Sequence, residues 1–343
     1  MSRRGRAALA ALGAFAVALG LAACGGSDSS TTVATSSGGK LAEPTDATLV
    51  LDFIPNGVHA GIYRALADGD YKDNNINLKV IQPTSTADTL RLIDAGKADF
   101  GIADGIDVAS QINDGRDAKG IMALLEKPPG GLITLKKDGI TSPKQLEGKT
   151  VGITGVPSDT AILNTEVTNA GGNPDDVNVV TIGFNGVQNL ENGKISAFTG
   201  FVPADGVQVE QDGYPIKAFP LYENGGPAYP GLVVFSTQEK ISKDPALMRA
   251  FVDATIKGYQ ATFKSPEKSV QDLVDQVPGT DSELASATLK AYMPLFEGAP
   301  VYGEFVKKNI EELSSFLVDN KLIDQPISPE RYGTNEFVPG AGG

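Results

Sequence analysis

Short apolar runs alternate with longer segments of helical spacing through most of the chain. Thr48–Phe53 reads as a short apolar strand, Pro55-Asn56-Gly57 breaks it, and Val58–Asp68 reads as the helix that follows. Ile76–Ile81 is a second strand, in which Leu78 and Val80 alternate against Lys79. Ser85 falls at the N-cap of a helix carrying Leu90, Leu92 and Ile93, which stops at Ala95-Gly96-Lys97. The strand Ala98–Ala103, a helix opened by Asp104-Gly105 and running through Ile112, and the strand Lys119–Leu125 complete a first unit. Gly130–Lys136 leaves that unit as an apolar strand. A second unit of about the same size follows, with strands Lys149–Thr154, Val177–Ile182, Ser196–Val202 and Ile216–Leu221. Its helices are a short one capped by Ser142, then Ala161–Asn169, Val187–Glu191 and Asp205–Gln211. Leu232–Ser236 returns as an apolar strand. The spacing is then almost wholly helical, through Pro245–Lys264, Pro266–Val277, Ser282–Phe296 and Tyr302–Leu317.

Alternation of this kind predicts parallel sheets flanked by helices, the α/β class. Two such units, joined by strands that cross between them and followed by a helical tail, predict a clamshell. Gly130–Leu135 and Leu232–Phe235 are its expected hinge strands. The expected division is residues 47–133 plus 235–343 in lobe 1 and 134–234 in lobe 2.

The N-terminal residues read differently. Arg3, Arg4 and Arg6 precede the apolar run Ala7–Ala23, as in a secretory signal. The run ends Leu21-Ala22-Ala23-Cys24-Gly25, which resembles the lipobox of bacterial lipoproteins, where the residue after the cleaved bond is a cysteine that becomes diacylated. Residues 1–23 are therefore assigned to a signal peptide and Cys24 to lipidation. Gly25–Lys40 is rich in Gly, Ser and Thr and reads as a flexible tether, so residues 24–46 form a leash. No other stretch is long and apolar enough to span a bilayer.

Charge and cysteine usage remove several function classes. The net charge of −13 argues against nucleic acid, whose phosphates need a basic stripe, and against adhesion to anionic headgroups. One Cys excludes an intrachain disulfide, and with one His there is no Cys/His zinc cluster. No metal and no cofactor are expected.

The chemistry concentrates where the first strand runs into the first helix. In an open α/β sheet that junction lines the ligand crevice. Phe53 offers an aromatic ring, Asn56 an amide and His59 the chain's single imidazole. From the residues alone, the same turn is equally a capping Asn beside a buried ring.

Several blocks carry a family resemblance: LDFIPNGVHAGIYRA, QPTSTADTLRLIDAGKADFGIA and GITSPKQLEGKTVGI, with weaker matches in PADGVQVEQDGYPI and GGPAYPGLVVFST. From Ala47 to about Asn320 the chain resembles the substrate-binding proteins of ABC importers in the thiamine-precursor, alkanesulfonate and nitrate group. The subgroup that it is most similar to holds the pyrimidine-precursor binders, riboflavin binders and the eukaryotic thiamine-pyrimidine synthases. The resemblance implies a bilobed periplasmic-binding-protein fold (type II), a small-molecule ligand between the lobes, and delivery to an ABC permease with its ATPase. With the N-terminal lipid it implies a protein held at the extracytoplasmic face of the cell membrane, working as a monomer. Phe53 stands where the family has Trp, and Asp205 where it has Glu.

On this basis the first-lobe candidates are Phe53, Pro55, Asn56, His59, Thr84, Ser85 and Asp104. Phe53 would stack on a flat ligand, and Asn56 and Ser85 would donate to and accept from it. His59 would bond the ligand or brace the turn, and Thr84 and Ser85 serve equally as helix caps. The second-lobe candidates are Pro157, Ser158, Asn185, Asp205 and Tyr229. Ser158 would hold an anion or carbonyl at a helix N-terminus, or cap the helix. Asp205 would pair with an amino group or simply face the helix dipole, and Tyr229 would be a second stacking face. Phe184, Phe198 and Phe201 are expected in the core.

An enzyme is the rival class. The synthases carry a Gly-x-x-Asp-x-Gly-x-Lys-x-x-x-His pattern and a Cys-rich run. Aligned on GKADFGIADGID, the Lys position is Ala103 and the His position is Asp107, and the chain has no second Cys. A Schiff base needs an amine, so a binder is expected and no catalytic residue is assigned. Among ligands an aminopyrimidine thiamine precursor comes first and riboflavin second. Sulfonate or nitrate comes third, because no Arg falls at a strand end to clamp an anion.

Overall fold

A computed structural model describes residues 39–342, and the signal segment 1–23 and Cys24 lie outside the described residues. The first sheet collects β1 (Thr45–Val50), β2 (Ile76–Ile81), β3 (Phe100–Asp104) and β4 (Lys119–Leu125). The helices between them are α1 (Ala60–Asp68), α2 (Asp70–Asp73), α3 (Thr86–Asp94) and α4 (Gly105–Asn113). The second sheet collects β5 (Gly130–Leu135), β6 (Thr150–Ile153), β7 (Asn178–Thr181), β8 (Ala197–Phe201) and β9 (Ile216–Pro220). Its helices are α5 (Pro157–Asn169), α6 (Gly186–Glu191) and α7 (Val207–Gln211). The chain then returns to the first sheet through β10 (Leu232–Ser236). The tail is helical: α8 (Gln238–Lys243), α9 (Pro245–Lys264), α10 (Pro266–Gln276), α11 (Ser282–Tyr292), α12 (Lys307–Asp319) and α13 (Pro329–Tyr332).

The strand orders are β2-β1-β3-β10-β4 and β7-β6-β8-β5-β9. Both sheets are mixed rather than purely parallel. β10 runs antiparallel to β3 and β4, and β5 antiparallel to β8 and β9. These two strands are the expected hinge strands, and each enters its sheet against the grain because it arrives from the other lobe. The division expected at 133/134 and 234/235 cuts into both. All of Gly130–Leu135 is bonded into the second sheet and all of Leu232–Ser236 into the first, so the crossings are residues 126–129 and 221–231.

The first strand begins and ends earlier than its apolar pattern suggests. Thr45–Val50 pairs in parallel with Ile76–Ile81 along its whole length, and Leu51 N–H still donates to Ile81 O at 3.0 Å. Asp52 and Phe53 then leave the sheet edge-on toward the second lobe. Gly57–His59 is a single 3₁₀ turn before α1.

The helical tail is what holds this exit loop. Tyr259 on α9 donates to Val58 O at 2.7 Å, and Thr288 Oγ1 on α11 accepts Gly57 N–H at 3.1 Å. The approach is too close for side chains. A Cβ on Gly57 would lie 2.1 Å from the Leu289 backbone nitrogen, and one on Gly61 2.5 Å from the Tyr259 ring. The NGVHAG run therefore reflects helix packing as well as the turn. Below it Phe100 stacks on Phe251 at 3.8 Å, joining β3 to α9 in the first-lobe core. Ile133, Leu135, Leu190, Ile195, Phe198 and Val209 make a smaller core in the second lobe. Among the described residues no helix is long and apolar enough to cross a membrane.

Candidate functional site

The two sheets present the carboxyl ends of their parallel strands to one another, and a cavity lies between them. Asp52, Phe53, Thr86, Asp104 and Asp107 wall it from the first lobe. Thr154, Val156, Ser158, Asp159 and Ile162 wall it from the β6–α5 junction, and Phe184, Thr199, Phe201 and Asp205 from the rest of the second lobe. This is the crevice where open α/β sheets bind ligands. Phe53 and Phe184 meet edge-to-face across the lobes, with ring centroids 4.5 Å apart and planes at 79°. The cavity has a volume of about 50 Å³.

Five carboxylates surround this space, and no Lys, Arg or His is among its walls. Asp52 is buried beside its partner His59, whose Nε2 lies 2.8 Å from Asp52 Oδ1. His59 Nδ1 accepts the Asn56 N–H at 3.2 Å, so the ring's proton sits on Nε2 and is donated to Asp52. Asp52 Oδ2 is buried and has no partner. Asp104, the N-cap of α4, accepts Ile106 N–H at 2.8 Å through Oδ1 and the Tyr229 hydroxyl at 3.3 Å through Oδ2. Asp159 accepts Thr154 Oγ1 at 2.7 Å, Gly155 N–H at 2.8 Å and Val156 N–H at 3.1 Å on Oδ2, and the Thr199 hydroxyl on Oδ1. Asp205 Oδ2 accepts Phe201 N–H at 2.8 Å.

Burial drives the electrostatics of these groups. It pushes the Asp104 carboxyl well above the usual carboxylate range, and the neighbouring Asp107 pushes it further. Burial lifts Asp107 to about 7, against the lowering effect of its hydrogen bonds from Ser158. It lifts Asp205 to about 6, against the Phe201 backbone N–H. Asp205 is thus ionised at neutral pH and able to accept.

The residues expected from the sequence divide clearly. Phe53, Asp104, Ser158 and Asp205 line the cavity. Pro55 and Asn56 line an adjoining outer recess, and the Asn56 amide is occupied in the turn, accepting Val58 N–H and donating to Ile54 O. His59 is fully buried behind Asp52 and braces the turn rather than facing the cavity. Thr84 bonds Asp88 on an outer groove. Ser85 caps α3 by position, without a side-chain cap bond, and its neighbour Thr86 reaches the cavity instead. Pro157 opens α5 beside the wall, and Asn185 donates to Ile182 O in an exposed turn.

Tyr229 does not supply a second stacking face. It is fully buried behind Asp104, and Phe184 stands opposite Phe53 instead. Phe184 and Phe201, expected in the core, line the cavity, because the β7–α6 and β8 ends turn inward. Phe198 is in the second-lobe core. The helix N-terminus at Ser158 is not open: Asp107 of the first lobe occupies it.

The sequence reading missed Asp52, Thr86, Asp107, Thr154, Asp159 and Thr199. The signals were partial. Asp52 sat inside an expected strand. Asp107 stood out only as the residue at the His position of GKADFGIADGID. Asp159 and Thr199 gave none, since their mutual bond joins residues 40 apart. Among the described residues no group of three or more His, Cys, Asp or Glu is arranged to hold a metal ion.

Comparison with known proteins gives a consistent family. The family model described as NMT1/THI5 like matches residues 56–269. The chain is 24% identical to the formylaminopyrimidine-binding protein of Halalkalibacterium halodurans, over 82% of this chain and 87% of that one. It is 26% identical to the 4-amino-5-hydroxymethyl-2-methylpyrimidine phosphate synthase of Legionella pneumophila, over 85% of this chain and 92% of that one. Its fold superposes on the alkanesulfonate-binding protein SsuA of Xanthomonas axonopodis pv. citri, bound to MOPS, with a TM-score of 0.68 at 14% identity, covering 85% of this chain and 100% of that one. The fold is thus the bilobed periplasmic-binding-protein architecture.

Proposed function

The chain belongs to the NMT1/THI5-like family, and we propose that it is an extracytoplasmic solute-binding protein that encloses a small, flat, donor-rich heterocycle, an aminopyrimidine thiamine precursor foremost, and delivers it to an ABC permease. One observation carries the reading: an aromatic-capped cavity walled by five aspartates, four of them buried and Asp205 half-buried, and no basic residue. Such walls offer acceptors, and Asp52 Oδ2 is an acceptor with no partner of its own. A ring amino group supplies the missing donor.

Charge separates the candidate ligands. The cavity between the lobes, about 50 Å³, is smaller than the roughly 150 Å³ that takes up a single six-membered ring, so any of them enters only as the lobes part. A sulfonate about 4 Å from an ionised carboxylate meets a repulsion on the order of 4 kcal/mol at an effective dielectric of about 20. That disfavours the anions bound elsewhere on this fold. The walls also hold no lysine or histidine, the groups that the synthase chemistry draws on, which favours capture over turnover. In this reading Cys24 carries the lipid that keeps the protein at the outer face of the membrane.

A thermal-shift screen tests the ligand. The panel is formylaminopyrimidine, hydroxymethylpyrimidine, thiamine, riboflavin, taurine and nitrate. At about 100 times its Kd a ligand stabilises by about 2.7 kcal/mol, a shift of a few degrees. A shift with a pyrimidine is expected. A shift with taurine or nitrate alone would overturn the donor-rich ligand and leave the fold untouched.

A further inference from the structure

Asp107 opens α4 in the first lobe, yet its carboxylate is engaged entirely by the second. Oδ1 accepts the backbone N–H of Ser158 at 2.9 Å, and Oδ2 accepts the Ser158 hydroxyl at 3.0 Å. Both residues are buried, Asp107 at 1% exposure and Ser158 at 6%. Ser158 lies in the first turn of α5, a helix of 13 residues. Such a helix end concentrates partial positive charge and free N–H groups, and an open α/β fold commonly turns it toward a ligand's anionic group. Here the opposite lobe fills it. The N–H groups just before it are taken as well, since Gly155 and Val156 both donate to Asp159. With no basic side chain in the cavity wall, the α5 N-terminus is the compensating partner that Asp107 has.

We propose that the Asp107 carboxyl group plugs the N-terminus of α5, ties the two lobes together there and excludes ligands that would bring an anionic group of their own to that helix end. A phosphorylated or sulfonated ligand would have to displace this carboxylate and then sit beside Asp104, Asp159 and Asp205. An uncharged or cationic ring meets no such competition. The inference deepens the proposed reading and rests on it for the choice of pyrimidine probes. The latch itself stands on the Asp107–Ser158 geometry.

The test uses the purified protein and its Asp107→Asn and Ser158→Ala variants, with circular dichroism confirming that each is folded. Asp107→Asn keeps the volume and removes the charge, and its amide nitrogen cannot accept the Ser158 hydroxyl. Titration calorimetry compares hydroxymethylpyrimidine with its phosphate monoester. Wild type is expected to prefer the unphosphorylated ring. Asp107→Asn is expected to move the ratio of dissociation constants toward the phosphate ester by at least about tenfold, the scale of a charge-assisted hydrogen bond. Small-angle scattering without ligand is expected to show a larger radius of gyration for Asp107→Asn, and a smaller change of the same sign for Ser158→Ala. An unchanged ratio or an unchanged scattering profile overturns the proposal. If no pyrimidine binds the wild type, the ligand reading falls, and scattering alone decides the latch.

Discussion

Replacing Glu166 should make the protein more tolerant of alkali. Glu166 sits on α5 facing β5, 1% exposed, and neither carboxyl oxygen has a partner of ordinary hydrogen-bond geometry. Burial, offset in part by the Leu132 backbone, pushes this carboxyl from 4.5 up to about 9. In the unfolded chain the same group ionises above its ordinary value. The protonated side chain therefore supports the fold in full below about pH 4.5. That support is lost as pH rises toward 9, because only the unfolded state gains a solvated charge. Each pH unit in the window is worth about 1.4 kcal/mol, which sets a ceiling of about 4 kcal/mol between pH 5 and 8. Relaxation and water entry around the buried carboxyl lower this, to about 2 kcal/mol or more. Glu166→Gln keeps the shape and does not titrate. Urea unfolding of both proteins at pH 5 and pH 8 is the assay. The variant's advantage over wild type should grow by about 2–4 kcal/mol between the two pH values. Buried acids common to both proteins, Glu126 among them, cancel in the difference. Parallel stability curves for the two proteins across that range would refute the reasoning.

Three further outcomes follow from the site. Phe53→Ala should weaken pyrimidine binding about 10- to 100-fold by calorimetry, since ring stacking is worth about 1–3 kcal/mol, and binding within threefold of wild type would exclude Phe53 as a stacking face. Binding should weaken as pH falls through about 6, where Asp205 takes up a proton and stops accepting, by about tenfold per pH unit below that point. Asp205→Asn should flatten the slope relative to wild type, and equal slopes would remove Asp205 from the ligand contacts. His59→Ala should destabilise by about 3 kcal/mol in urea, because Asp52 would keep a buried carboxylate with neither oxygen bonded and a void would replace the ring. A loss under about 1 kcal/mol would show that the pair does not brace the turn.

Element order was legible in the sequence because it rests on short-range periodicity. The apolar runs at Ile76–Ile81, Lys119–Leu125 and Leu232–Ser236 and the spacing of Pro245–Lys264 needed no partner to be read, and the structure places those elements at the same residues. The two returning strands announced the lobe crossings for the same reason. The composition of the site could be read only in part. Asn56 and His59 are polar residues beside a strand end, which is equally the description of a ligand contact and of a capped turn. The tail helices α9 and α11, some two hundred residues away in sequence, press this loop into a shape that turns Asn56 onto the backbone and His59 onto Asp52. Asp107 and Ser158 are 51 residues apart and meet because the lobes close. Sequence alone thus determined the two-lobed α/β plan and the neighbourhood of the cleft, since both follow from local hydrophobic pattern. Which side chains face the cavity, and that five carboxylates without a base surround it, was decided by tertiary structure, because closure across the lobes brings together groups that share no local signal.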